Sequence, residues 1–89
     1  MPRVHEAGGF KVYIYLPPGE HGPAHVHVLK AGGEVVVHIG TGTALEPHRV
    51  FGPIKDVDVI RAVRIVEAIE EYLLEEWRRY HGDQEITDR

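Results

Sequence analysis

Serine and cysteine are both absent from this 89-residue chain, which narrows its chemistry before any pattern is read. Without cysteine there is neither disulfide nor thiolate, so a bound metal must rely on imidazole and carboxylate. Without serine, nucleophilic catalysis falls to threonine, lysine or a carboxylate. Positive charge is scarce as well. The 10 Lys and Arg are outnumbered by 14 Asp and Glu, and the net charge of −4 disfavours general nucleic-acid binding. No apolar run approaches membrane-spanning length, and Met1-Pro2-Arg3-Val4-His5-Glu6 lacks the apolar stretch of a signal peptide. These absences lead us to expect a cytoplasmic protein with no membrane partner. Walker and dinucleotide glycine patterns are missing; Gly8-Gly9, Gly32-Gly33 and Gly40-Thr41-Gly42 read as turns. What is left, 43% hydrophobic and 27% charged, has the composition of one ordinary folded domain.

The pattern divides the chain in two. From Asp56 to His81 the apolar period is helical, with Val59, Val63, Val66, Ile69 (or Glu70), Leu73, Trp77 and Tyr80 in one stripe, widened by Ile60 and Leu74. Asp56 reads as the N-cap, with Asp58 in the first turn and Arg78 and Arg79 in the last. A single helix of about 25 residues would be roughly 37 Å long. A seven-residue strand spans only about 23 Å, so the helix end should overhang the sheet. That end carries Leu73, Leu74, Trp77 and Tyr80, a candidate interaction surface and a route to a homodimer through the C-terminal helix. The tail after Gly82, residues 83–89, is expected to fray.

The first half alternates with the period of strands. Phe10, Val12, Ile14 and Leu16 share one face; Val26 and Val28 share one face, opposite His25, His27 and Leu29; Val35, Val37 and Ile39 oppose Glu34, Val36 and His38. A hairpin turn at Gly32-Gly33 would set His27 opposite His38 and Val28 opposite Val37. The loop from Pro17 to Pro23 would set Tyr15 beside His25 and Tyr13 beside His27. Pro47 restricts the stretch from Thr43 to Phe51 to an edge strand or a loop. The expected fold is α+β: an antiparallel sheet of three to four strands with one long C-terminal helix packed across one face. Residues 1–82 form the single domain.

The face turned away from the helix would carry Tyr13, Tyr15, His25, His27 and His38, joined by His5 if Ala7-Gly8-Gly9 forms a three-residue turn. Three imidazoles fall within seven positions in His21-Gly22-Pro23-Ala24-His25-Val26-His27. Such a cluster can hold one metal, work as an acid/base pair, or make a pH-sensitive polar surface. His21, His25, His27 and His38 are the candidate metal ligands, and an open three-histidine set suits a divalent transition metal such as zinc. Glu20, Glu34 and Glu46 are candidate acid/base partners, although a solvated carboxylate is the commoner case. Neither His25 nor His27 contributes to the expected core, so alanine at both should leave the fold nearly unchanged.

The same residues carry a family resemblance. Gly9-Phe10-Lys11-Val12-Tyr13-Ile14-Tyr15, His21-Gly22-Pro23-Ala24-His25-Val26-His27-Val28, the turn Lys30-Ala31-Gly32-Gly33-Glu34 and the terminus Leu73-Leu74-Glu75-Glu76-Trp77-Arg78-Arg79-Tyr80 resemble a small bacterial domain family of unknown function. Its signature reads G-F-x-x-x-I-Y, H-x-P-P-H-V-H-V and L-L-x-x-W-x-x-Y. The chain departs from it at Ala24, where a second proline is usual, and at His38, where an apolar or aromatic residue is expected. Carried over residue by residue, the resemblance supports His21, His25 and His27 as the site, and not His38. It implies no known activity. It does imply membership of toxin–antitoxin-like two-gene modules, and therefore a protein partner. The expected function is a protein-interaction domain with a surface His/Tyr face. The alternatives are a metal-binding protein or metal-dependent enzyme built on His21, His25 and His27, and a nucleic-acid-acting toxin component.

Overall fold

The structure, a computed structural model, describes residues 2–17 and 23–82. Five strands, β1 (Arg3–Ala7), β2 (Phe10–Tyr13), β3 (His25–Lys30), β4 (Gly33–His38) and β5 (Pro47–Phe51), precede two helices, α1 (Asp56–Ala68) and α2 (Glu70–His81). The strands form one antiparallel meander in sequence order. The α+β class stands, but the expectation of three to four strands under one long helix is corrected to five strands and two helices. Pro47 opens β5 at the sheet edge, where its missing N–H costs no ladder bond.

Alternation places the core as the pattern requires. Phe10, Val12, Val26, Val28, Val35 and Val37 are all buried on one face, against Ala62, Val63, Val66, Leu73 and Trp77 of the helices. The hairpin register differs from the expected one. His25 pairs with His38, Val26 with Val37 and His27 with Val36, because the turn is Ala31-Gly32 and not Gly32-Gly33. Both turn residues have positive φ, 48° at Ala31 and 88° at Gly32, the backbone of a two-residue hairpin that follows the sheet twist. The partners move by two residues, which preserves the parity of every side chain and keeps each on its expected face. At the other hairpin, Gly8 and Gly9 form a two-residue turn that sets His5 opposite Val12, away from the histidine face.

The helix breaks at Ile69, where φ is −125° and ψ is 24°. Continued unbroken, the helix would bring Glu70 to the middle of the apolar stripe. With the break, Ile69 packs against the core and the Glu70 carboxylate accepts a 2.7 Å hydrogen bond from the Gly40 N–H. No overhang results. Leu73 and Trp77 are fully buried, and Leu74 and Tyr80 are partly buried against the same core. Of the surface expected on Leu73, Leu74, Trp77 and Tyr80, Leu73 and Trp77 are thus internal packing residues, and only Leu74 and Tyr80 remain partly exposed. Lys55, not Asp56, occupies the N-cap position, although Asp56 and Asp58 do stand in the first turn. Among the described residues no helix is long and apolar enough to cross a membrane. The fraying tail predicted for residues 83–89 lies outside the described residues.

Two substitutions test the hairpin. A Cβ on Gly33 would come 2.6 Å from Ile54 Cβ and 3.2 Å from its backbone nitrogen, so Gly33→Ala should cost about 1–3 kcal/mol in urea unfolding. Ala31→Asn should instead stabilise by about 0.5–1 kcal/mol, since asparagine tolerates the left-handed conformation that Ala31 is held in.

Candidate functional site

The face of the sheet turned away from the core is built from the alternate residues of each strand. Tyr13 of β2 pairs with His27, as expected, while Tyr15 lies just past the strand. Its ring stacks on His27 with centroids 3.9 Å apart and planes 5° from parallel, so Tyr15 covers His27 and not His25. The His27 Nδ1 lies 2.6 Å from a Glu34 carboxylate oxygen. Glu34 is therefore a partner of a histidine, not a solvated turn charge. With the stack on one side and the carboxylate on another, His27 is only 7% exposed, a burial that argues against its being dispensable to the fold.

His25 bridges this face and the helical layer. Its Nδ1 donates to the Pro23 carbonyl at 2.9 Å, its ring meets His27 edge-on at 5.1 Å, and it packs on Trp77 at 5.2 Å. Trp77 in turn stacks on His81 at 3.8 Å, and His81 Nε2 donates to the Tyr15 carbonyl at 2.8 Å. Five side chains quoted in the family resemblance, Tyr15, His25, His27, Glu34 and Trp77, therefore converge on one end of the sheet. His21 lies outside the described residues.

The stretch from Thr43 to Phe51 was legible as an edge strand or a loop, but its contribution of His48 to this face was not. A bulge between Val36 and Val37 inserts His48 as an extra residue, and its ring stacks on His38 at 4.0 Å. His25, His27, His38, His48, Arg49 and Phe51 line a depression of about 290 Å³. The signal that was available was the alternation of Arg49 and Phe51 about Val50. A bulge shifts that phase, so His48 could not have been assigned to the same face by counting.

Chemically, this corner combines imidazoles, a guanidinium and an aromatic edge. Among the described residues no three His, Asp or Glu side chains are arranged to hold a metal ion. His38 is stacked flat on His48 rather than converging with it, and the Nδ1 atoms of His25 and His27 are turned to Pro23 and Glu34. Among the described residues, His25, His27 and His38 are thus not brought together as a ligand shell, and His21, the fourth of the expected set, lies outside them. Burial, reinforced by the facing imidazoles of His48 and His25, holds His38 below its ordinary pKa of 6.5.

Two measurements follow from this geometry. His27→Ala removes the stack and leaves the Glu34 carboxylate without its imidazole, and should cost about 1–3 kcal/mol in chemical unfolding. A loss near zero would show that the pair contributes nothing to stability. The second concerns pH. Folded His38 takes up a proton less readily than the unfolded chain does, so its contribution is fully present above pH 6.5 and is lost as pH falls below it. On acidification from about pH 7.5 to about pH 5.5, wild type should lose more stability than His38→Gln; parallel losses would contradict this.

The comparisons with known proteins fit this picture without extending it. No curated protein and no solved structure gives a significant match. One family does match, over residues 9–78, a stretch that begins just before β2, ends within α2 and contains Tyr15, His25, His27, Glu34 and Trp77 but not His81. The chain belongs to the family described as Domain of unknown function (DUF4160).

Proposed function

We propose that this chain is a binding domain that engages a protein partner through its open sheet face, with the depression at the β3–β5 corner as the anchor point. One observation carries the reading. Among the described residues no strand or helix lies over Arg49 and Phe51, which stand exposed on a depression also lined by the partly buried His25 and His38 and the buried His27. Aromatic and arginine side chains around a desolvated floor are the usual anchors of protein interfaces. The net charge is no obstacle there. Residues 1–51 carry four Lys and Arg and four Glu, so the whole negative excess belongs to the helices and the C-terminal residues. The resemblance to two-gene modules supplies the candidate partner, the product of the neighbouring gene.

A second reading is favoured by one feature. A carboxylate holding one imidazole, with a second imidazole alongside, is an arrangement suited to proton transfer, and the Glu34, His27 and His25 cluster provides it beside Arg49. The substrate would then be a phosphodiester, such as single-stranded RNA.

Co-expression with the neighbouring gene product, followed by calorimetric titration of the purified chains, tests the first reading. Arg49→Glu and Phe51→Ala should each weaken the complex by about tenfold or more with little change in melting temperature, since both side chains are exposed. A complex indifferent to both substitutions, or no complex at all, sinks this reading. Cleavage of a uridine-rich RNA that is lost in His27→Gln would replace it with the second.

A further inference from the structure

A second surface lies away from the histidine corner and shares no residue with it. Between α1 and the β1–β2 turn runs a groove of about 570 Å³. Its floor is apolar, from Ala7, Phe10 and Ile65, and its wall is the α1 ridge of Val57 and Ile60. Val57 is 48% exposed and Ile60 56%, so the fold leaves two large apolar side chains of its main helix half uncovered. Residues 57, 60, 61 and 64 follow one another at helical spacing, and Arg61 and Arg64 therefore continue the same ridge.

The rim charge opposes the charge of the whole chain. Lys30 stands over the Phe10 ring, 4.4 Å from its centroid, and also reaches Asp58 at 3.5 Å; Arg61 reaches the same Asp58 oxygen at 3.6 Å. One carboxylate thus serves two cations. Among the described residues no carboxylate is in ion-pair contact with Arg64. The groove rim is net positive on a chain of net charge −4.

We infer that this groove is the docking site for an acidic amphipathic segment of a protein partner, its apolar side chains against Val57, Ile60 and Phe10 and its carboxylates toward Arg61 and Arg64. The open ridge suits a macromolecule better than a small acid, because small-molecule sites enclose most of their ligand. An amphipathic helix laid along a helical ridge needs only two or three apolar anchors, and the flanking charges fix its sign and direction.

The test uses the full chain and two synthetic helical peptides with the same leucine spacing, one with glutamate at the remaining positions and one with lysine. Amide chemical shifts are followed on titration. The glutamate peptide should perturb Ala7, Gly8, Lys30, Val57 and Ile60 and leave Arg49 and His48 unmoved, and its affinity should fall as salt rises. Ile60→Glu and Arg64→Glu, both at exposed positions, should each weaken it by about tenfold or more at an unchanged melting temperature. Arg49→Glu should have no effect, which separates this groove from the histidine corner. Equal binding of the two peptides, shifts located elsewhere, or no shifts would overturn the assignment. So would sedimentation showing a dimer of the free chain that Ile60→Glu dissociates, because the groove would then belong to a second copy.

Discussion

The exclusion of one carboxylate from the core organises much of this molecule. Glu70 stands where an uninterrupted helix would bury it, and an unpaired buried carboxylate is too costly to keep. The chain turns at Ile69, puts that isoleucine against the core and passes the carboxylate to the Gly40 N–H. The segment that follows is carried across the end of the sheet, where Trp77 meets His25, His81 meets the Tyr15 carbonyl and the Tyr72 hydroxyl donates to the Val4 carbonyl. Because Tyr15 is held there, its ring can lie on His27. The break in the helix and the shape of the histidine cluster are therefore one event seen at two places.

The same logic explains why the polar face is not simply a wet face. An imidazole at 7% exposure needs partners, and His27 has a carboxylate at 2.6 Å together with a parallel ring. Its neighbours His38 and His48 are held ring on ring, where a second proton would meet a first. Burial and the facing imidazoles of His48 and His25 favour the neutral form of His38, so that ring brings no fixed positive charge to the corner. Arg49 is the exception, and its position at the rim makes it the permanent charge of the depression.

How much of this was legible in the sequence depends on which physical rule decides each feature. Faces follow from a period of two, and the assignment of Val26, Val28, Val35 and Val37 to the core needed nothing else. Register does not follow from that rule, because two registers that differ by two residues bury the same side chains. The turn decides between them, and it uses Ala31 in a left-handed conformation that alanine seldom adopts. Gly33 was needed for another reason: Ile54 packs where its side chain would have been. The helix break had left a trace, since the stripe could be continued through Ile69 or through Glu70. That ambiguity of phase was the kink itself. His48 left no trace, because its place on the histidine face depends on a bulge in an edge strand.

The distribution of charge argues against treating the chain as uniformly acidic. Through Phe51, Lys and Arg balance Glu, and six of the seven histidines lie there. Carboxylates gather instead on the helices, where Asp56, Asp58, Glu70 and Glu71 occupy first turns and complement the helix dipoles. Much of the negative charge therefore has a local electrostatic role and is not a general repellent for anionic partners. Screening makes the same point, because surface fields decay over about 10 Å at moderate salt, so a partner experiences the patch that it touches more than the net charge. The histidine corner and the α1 groove are two such patches, one with imidazoles and Arg49 and the other with Arg61 and Arg64 beside exposed apolar side chains. Since they share no residue, a partner at one leaves the other open, and substitutions in each can be read separately.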